Sequence, residues 1–165
     1  MGGLYKTMVI KDGGEKSREE IWKMVGLLHD GDYEETKTDM KNHSKLMVKW
    51  LKELGETDHE LLHGIESHGG SHRGIEPSNQ MEWALFSCDE LTGLIVATAL
   101  VQPDKKLAGV TVEKVLDKFK SKNFAAGARR GDILKCEEKL GISLENFVRN
   151  VLQSMQRIAP ELGLA

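Results

Sequence analysis

A long apolar segment near the middle of the chain constrains the fold most. From about Asn79 to Val101, hydrophobic residues lie on nearly every face of a helix, and Pro103 ends it. A helix that is apolar almost all round must be covered by other elements, so this segment predicts the central helix of a bundle. Its longest apolar stretch, Leu91 to Val101, is about half the length that a bilayer span needs. We therefore expect no membrane segment.

Shorter amphipathic segments lie on both sides of this central helix. Their apolar residues are spaced three and four apart, which is the spacing of one buried helix face. Capping boxes and glycines predict where several of these helices begin and end. The predicted helices begin at Ser17 and Thr57, run from about Thr38 to Leu54, and follow at Val112, Ile133 and Ser143.

The N-terminal segment is the part of the chain with the weakest pattern. Leu4 to Ile10 has some strand character, which Asp12-Gly13-Gly14 interrupts. We interpret residues 1–16 as a weakly structured extension and residues 17–165 as one helical domain. The predicted fold is therefore all-α, a single-domain helical bundle around a central long helix.

Composition limits the class of partner. At 165 residues the chain is long enough for one core and short for two. There are 23 Lys and Arg against 26 Asp and Glu, and the net charge of -3 gives no general attraction to nucleic acid or to an anionic membrane. Cys88 and Cys136 show no short metal-binding spacing and fit a reducing compartment, so we expect a cytoplasmic protein.

Imidazole and carboxylate groups recur on faces that the helical pattern places inside. His29-Asp30 follows an apolar stripe at a helix end, and His43 and His68 lie on the inward stripes of two later helices. Asp89 lies on the central helix, where an ionised carboxylate costs several kcal/mol unless it is paired or binds a cation. Together they suit a mixed nitrogen and oxygen site for Mn, Fe, Zn, Ni or Co. Taken one at a time, each is also explained as a hydrogen-bonded core histidine or a capping aspartate.

A zinc-protease motif is also present. His59-Glu60-Leu61-Leu62-His63 satisfies H-E-x-x-H, in which the Glu acts as general base. Helix phase places both histidines opposite Leu61 and Ile65, so they are expected to face solvent, and Glu60 belongs to the predicted capping box. The sequence therefore gives little support to the protease interpretation.

The order of these motifs resembles that of a known superfamily. The similarity extends from about residue 20 to the C-terminus. The family it resembles is the HD-domain superfamily of metal-dependent phosphohydrolases, and more narrowly its small single-domain members. The segments that carry the resemblance are Leu27-Leu28-His29-Asp30, His43, Ser67-His68-Gly69 and Ser87-Cys88-Asp89-Glu90-Leu91-Thr92-Gly93.

This resemblance implies an HD-type fold with a metal at its centre. His29, Asp30 and Asp89 would bind the first cation, and His43 and His68 would help to bind a second, with Asp30 bridging the two. The implied reaction is hydrolysis of a phosphate ester of a small metabolite or nucleotide, in which Asp30 also holds the attacking water. The alternative within the same family is an HD fold that has lost catalysis and serves as a binding or regulatory module.

The sequence departs from the family pattern in one respect. Members normally have an earlier helix with a histidine as the first metal ligand, and no histidine precedes His29. Water, the N-terminal arm or a neighbouring subunit would then supply that ligand. A bundle without this helix leaves part of its core uncovered, which favours a homodimer or exchange of arms.

Four further residues have weaker assignments. Lys122, Arg129 and Arg130 surround a glycine-containing turn and are candidates for binding a substrate phosphate, although a solvated face explains them as well. Asp32 is either an acceptor for a ligand imidazole or a turn cap.

Overall fold

The computed structural model describes residues 1–8, 18–70 and 73–165. Within these ranges the chain forms α-helices and short 3₁₀ turns and no β-strand, so the prediction of an all-α fold is confirmed. The chain divides into two compact units, Met1–Leu85 and Phe86–Ala165. The predicted domain start at residue 17, with the Ser17 capping box, lies outside the described residues.

The first unit holds most of the helices that carry the predicted site. Within it, α2 packs against both α1 and α5, while α4 packs against α5. In chain order its elements are α1 (Gly2–Met8), α2 (Arg18–Leu28), α3 (Tyr33–Thr36), a 3₁₀ turn (Met40–Asn42), α4 (Lys45–Glu53), α5 (His59–His68) and the beginning of α6 (Gln80–Leu100).

A small residue lets three helices of this unit meet. A Cβ placed on Gly64 of α5 would lie 2.8 Å from Met81 Cε and 3.1 Å from Val25 Cγ2. Val25 and Ile65 are completely buried beside it. The N-cap of α5 is Asp58, whose side chain accepts a hydrogen bond from the backbone amide of Leu61, so the prediction of Thr57 as the cap is wrong by one residue.

The N-terminal residues adopt a helix where the sequence suggested strand character. Gly2–Met8 is helical, and Leu4 and Tyr5 are buried. The Tyr5 ring contacts the edge of Trp22 on α2, with the ring centroids 5.3 Å apart. A single short apolar run carries little periodic signal, so the sequence did not predict this helix. Packing against α2 stabilises it.

The second unit consists of the remainder of α6 and the C-terminal helices. The long helix predicted from Asn79 to Val101 is observed as Gln80–Leu100. Ser143 caps the last helix as predicted, because its side chain accepts a hydrogen bond from the amide of Asn146. The further elements are a 3₁₀ turn (Leu107–Gly109), α7 (Val112–Lys120), α8 (Arg130–Ile133), α9 (Lys135–Leu140) and α10 (Leu144–Arg157), which packs against α7, α9 and the 3₁₀ turn.

Two properties of the second unit bear on the sequence predictions. Neither cysteine forms a disulfide and both are buried, and burial raises the pKa of Cys88 to about 11 and that of Cys136 to about 12, so neither is a reactive thiolate at neutral pH. Among the helices of the described residues, α6 alone is long and apolar enough to cross a membrane. Half of its apolar window is buried inside the protein.

Candidate metal centre

His29 and Asp30 lie in the turn between α2 and α3. The amide of His29 still donates to the carbonyl of Val25, and the turn closes with the amide of Gly31 donating to Leu28. The pair therefore follows the last residue of α2 directly. The Asp30 side chain is half exposed, so it can be reached from solvent.

A glycine follows this pair because a larger residue would have little space there, and not because the backbone angle is unusual. A Cβ on Gly31 would lie 2.7 Å from Met47 Sδ. Its φ lies outside the left-handed region, so no special backbone conformation calls for glycine here. The thioether is flexible, so the requirement is mild.

One backbone contact selects the tautomer of His29. Its Nδ1 lies 2.9 Å from the carbonyl oxygen of Gly26. A carbonyl can only accept, so Nδ1 carries the proton, and in the neutral ring the lone pair is on Nε2. Nε2 lies on the same side as Asp30, 3.7 Å from its Oδ2.

His43 is buried, but it is not on a helix. The prediction of a continuous helix from Thr38 to Leu54 is wrong, because the 3₁₀ turn ends at Asn42, His43 is extended, and Ser44 has a positive φ of 63°. Met40 and Leu54, apolar residues near the two ends of the predicted helix, are 48% and 85% exposed. The buried carboxylate of Asp32 explains this break.

Asp32 collects hydrogen bonds from the segment that carries His43. Its side chain is completely buried, and its Oδ1 accepts from His43 Nδ1 at 2.8 Å and from the Ser44 amide at 3.1 Å. Its Oδ2 accepts from the Met47 amide at 2.9 Å. A buried carboxylate needs several donors, and these are available only if the chain leaves helical geometry at His43 and Ser44. This is the contact expected of an acceptor that orients a ligand imidazole, a role that stays a prediction.

Asp30 stands at the centre of the cluster. Its Oδ1 lies 3.2 Å from His43 Nε2 and 3.3 Å from His68 Nε2. The ring of His68 contacts the edges of both other imidazoles, with centroids 4.7 Å from His29 and 5.5 Å from His43. One potential ligand atom from each of Asp30, His43 and His68 lies within 4.8 Å of the other two.

The electrostatics of the cluster favour a cation or a proton between these atoms. The hydrogen bond from His43, followed by that from His68, holds the pKa of Asp30 well below its usual range. The hydrogen bond to Asp30 is also the largest cause of a raised pKa at His43, and burial opposes it. With Nδ1 donating to Asp32, His43 Nε2 would otherwise direct a lone pair at the Asp30 carboxylate.

His68 is the last residue of α5, as the apolar face of that helix predicted. Its side chain is 12% exposed. Its second nitrogen, Nδ1, is buried and has no hydrogen-bond partner among the residues that the structure describes.

Asp89 belongs to the second unit. It is partly buried on α6 and lies with Glu90 and Gly93 along a cavity of about 310 Å³, which Ala125, Gly127 and Ala128 complete. Its role as a metal ligand, which the resemblance implies, stays a prediction.

Two of the three basic residues predicted to bind a phosphate, Arg129 and Arg130, have partners within the protein. Arg129 forms ion pairs with Glu90 and Asp132. Lys122 is exposed. The Arg130 guanidinium points into its own loop and donates to backbone carbonyls, those of Lys118, Phe119, Ser121, Phe124, Ala125 and Ala128. These contacts favour a structural role for Arg130 over the predicted phosphate contact.

Arg130→Lys should destabilise the second unit by about 1.5–3 kcal/mol, because an ammonium cannot reach this set of carbonyls and charge-assisted hydrogen bonds are lost. Urea denaturation measures the change. Arg129→Lys is the matched control and should change stability by less than about 1 kcal/mol, since the Arg129 side chain is 67% exposed and lysine keeps its charge. Equal effects of the two substitutions would contradict the structural role of Arg130.

The zinc-protease motif does not form a site of its own. His59 is exposed, and Glu60 pairs with Arg18. His63 was expected to face solvent, but its Nδ1 lies 2.7 Å from the buried carboxylate of Glu82. Among the described residues, no group with metal-binding geometry includes either histidine of the motif.

Sequence reasoning missed three residues that surround His43 and His68. Ser44, Gly69 and Arg73 contact or approach the segments that carry these imidazoles. The only signal for them was the pair Gly69-Gly70 directly after His68, since adjacent glycines often mark a close approach of backbone. Comparison with family models, curated proteins and solved structures gave no match for this chain.

Proposed function

We propose that this chain is a metal-dependent phosphohydrolase whose cation is held around Asp30. The observation that carries the proposal is the position of Asp30 Oδ1, 3.2 Å and 3.3 Å from the Nε2 atoms of His43 and His68. His29 adds a third imidazole beside them, with its tautomer set by the carbonyl of Gly26. Three imidazoles around one accessible carboxylate is a donor set suited to divalent transition metals.

The separations fit a shared cation. With bond lengths near 2.1 Å, neighbouring ligand atoms on one metal lie about 3.0–3.4 Å apart, depending on whether the geometry is octahedral or tetrahedral. Both distances from Asp30 Oδ1 fall in that range. Nitrogen and oxygen donors without thiolate favour Mn, Fe, Co, Ni or Zn, and the second oxygen of Asp30 allows one ion or two.

The support for phosphate-ester hydrolysis is the resemblance to the HD superfamily together with the accessibility of Asp30. A cation bound here would polarise a phosphoryl oxygen and lower the pKa of a water molecule toward neutrality. Asp30 is half exposed, so its Oδ2 can accept a hydrogen bond from that water and orient it toward phosphorus. Asp32 would keep the His43 ring from rotating during the reaction, because its Oδ1 accepts a hydrogen bond from His43 Nδ1 at 2.8 Å. The substrate would be a small phosphorylated metabolite or nucleotide.

The test is hydrolysis of a broad panel of phosphomonoesters and phosphodiesters by metal-free protein reconstituted with Mn²⁺, Co²⁺ or Ni²⁺. We expect metal-dependent release of phosphate or alcohol from at least one substrate, and its loss in Asp30→Asn. His59→Ala is the matched control, because His59 is an exposed histidine on α5 outside the cluster, and it should keep full activity. Metal uptake with no hydrolysis of any substrate would exclude the enzyme and leave a metal-binding regulatory module. Loss of activity in His59→Ala would favour the protease motif.

A further inference from the structure

We infer that Arg73 is a positioning residue that fixes the separation of His43 and His68, an inference that rests on the proposed function. These two imidazoles are distant in sequence and belong to different segments. His43 precedes α4, and His68 ends α5. Both Nε2 atoms must nevertheless keep their positions relative to the same oxygen of Asp30.

The Arg73 guanidinium binds both segments at once. Its Nη1 donates to the carbonyl oxygens of Lys41 at 3.1 Å and His43 at 3.2 Å, on one side, and of Gly69 at 3.4 Å, on the other. The guanidinium is planar and rigid, and its Nη1 shares two charged N–H groups among these three carbonyls, so it fixes their relative positions. One side chain therefore connects the backbone of His43 to the residue that follows His68.

Ser44 provides a second connection through the same guanidinium. Its hydroxyl accepts from Arg73 Nη2 at 3.2 Å and donates to the carbonyl of Glu66, near the end of α5, at 3.1 Å. Ser44 has a φ of 63°, a conformation that a serine rarely adopts. The amide of Ser44 donates to Asp32, which holds the backbone in this geometry.

The approach of the two segments leaves little free space. A Cβ on Gly69 would lie 2.8 Å from His43 Cδ2 and 3.0 Å from Ser44 Oγ. The end of α5 is therefore in direct contact with the His43 ring, and Arg73 holds the two together at that contact. Ligand geometry must be kept within about 0.5 Å for a functional site, so a loosened contact should weaken metal binding before it unfolds the chain.

The test is titration of metal-free protein with Co²⁺, followed by the visible absorption of the bound ion, for wild type and Arg73→Lys. Residues that orient metal ligands typically contribute 10–100-fold to metal affinity, so we expect a Kd that is about 10–100-fold weaker and an altered Co²⁺ spectrum. Arg149→Ala is the control, because Arg149 pairs only locally with Glu145 at the surface of α10, and its Kd and spectrum should equal those of wild type. Circular dichroism and urea denaturation report folding separately.

A second variant separates positioning from folding. Ser44→Gly permits the positive φ and removes the hydroxymethyl side chain, whose hydroxyl lies between Arg73 and Glu66, so it should fold and also bind Co²⁺ more weakly. This variant decides the question if Arg73→Lys does not fold. Wild-type Kd and spectrum in the folded variants would overturn the positioning role and leave the proposed function standing. Absence of Co²⁺ binding by the wild type would instead remove the proposed function, and this inference with it.

Discussion

Asp30→Asn should abolish metal binding and, with it, phosphohydrolase activity. The substitution keeps the size of the side chain and removes the charge that faces the Nε2 atoms of His43 and His68. Substituting a residue that only orients a metal ligand typically lowers metal affinity by about 10–100-fold. Loss of the central carboxylate should therefore weaken metal binding by at least about 100-fold. Isothermal titration of metal-free protein with Mn²⁺ or Co²⁺ measures this effect.

The fold should survive this substitution, because Asp30 is half exposed and its interactions are screened by solvent. The pKa of Asp30 is lowered in the folded state. The ionised carboxylate therefore stabilises the metal-free protein at any pH above the ordinary pKa of an aspartate, and this stabilisation decreases as the pH falls. The small destabilisation of the variant should therefore be visible at neutral pH and diminish below about pH 4. Asp39→Asn, at an exposed aspartate of the same unit, serves as the control. Metal affinity in Asp30→Asn equal to that of the control would contradict the assignment.

Asp32→Ala should be the most destabilising change near the site, at about 3–5 kcal/mol. It removes a completely buried acceptor and leaves His43 Nδ1 and the amides of Ser44 and Met47 without their partner. Asp32→Asn retains one oxygen acceptor but places an amide group against the Met47 amide, so about 1–3 kcal/mol should be lost. Urea denaturation measures both values.

Metal binding should fall in the same order, with Asp32→Ala weaker than Asp32→Asn and both weaker than wild type. His43 would no longer be held in one tautomer and orientation. Asp117→Ala is the matched control, since this aspartate is exposed and contacts only Lys120 of its own helix. A stability loss in Asp32→Ala as small as that of Asp117→Ala would show that Asp32 does not organise this segment.

The helical fold and the clustering of the imidazoles could be predicted from the sequence, because both follow from the spacing of residues along it. The length of α6 follows from apolar residues bounded by Pro103, and the inward position of His68 follows from the phase of α5. The sequence also brought His29, His43 and His68 together as one hypothesis. The structure places them around Asp30.

The local geometry was not accessible, because long-range hydrogen bonds determine it. The break in the predicted helix at His43 comes from donors that satisfy Asp32, which is eleven residues away in sequence. Arg130 was predicted to bind a phosphate, since the sequence shows its charge but not the carbonyls that surround it. No periodicity in the sequence indicates that the Arg73 guanidinium returns to the backbone of His43.

The most direct test of the central claim is anomalous X-ray diffraction from crystals grown with Mn²⁺ or Co²⁺, recorded at the absorption edge of the metal. We expect an anomalous peak about 2.0–2.3 Å from Asp30 Oδ1 and from the Nε2 atoms of His43 and His68. A second peak on the other oxygen of Asp30 would indicate two ions. Absence of a peak beside Asp30, or a peak at His59 and His63 alone, would contradict the account.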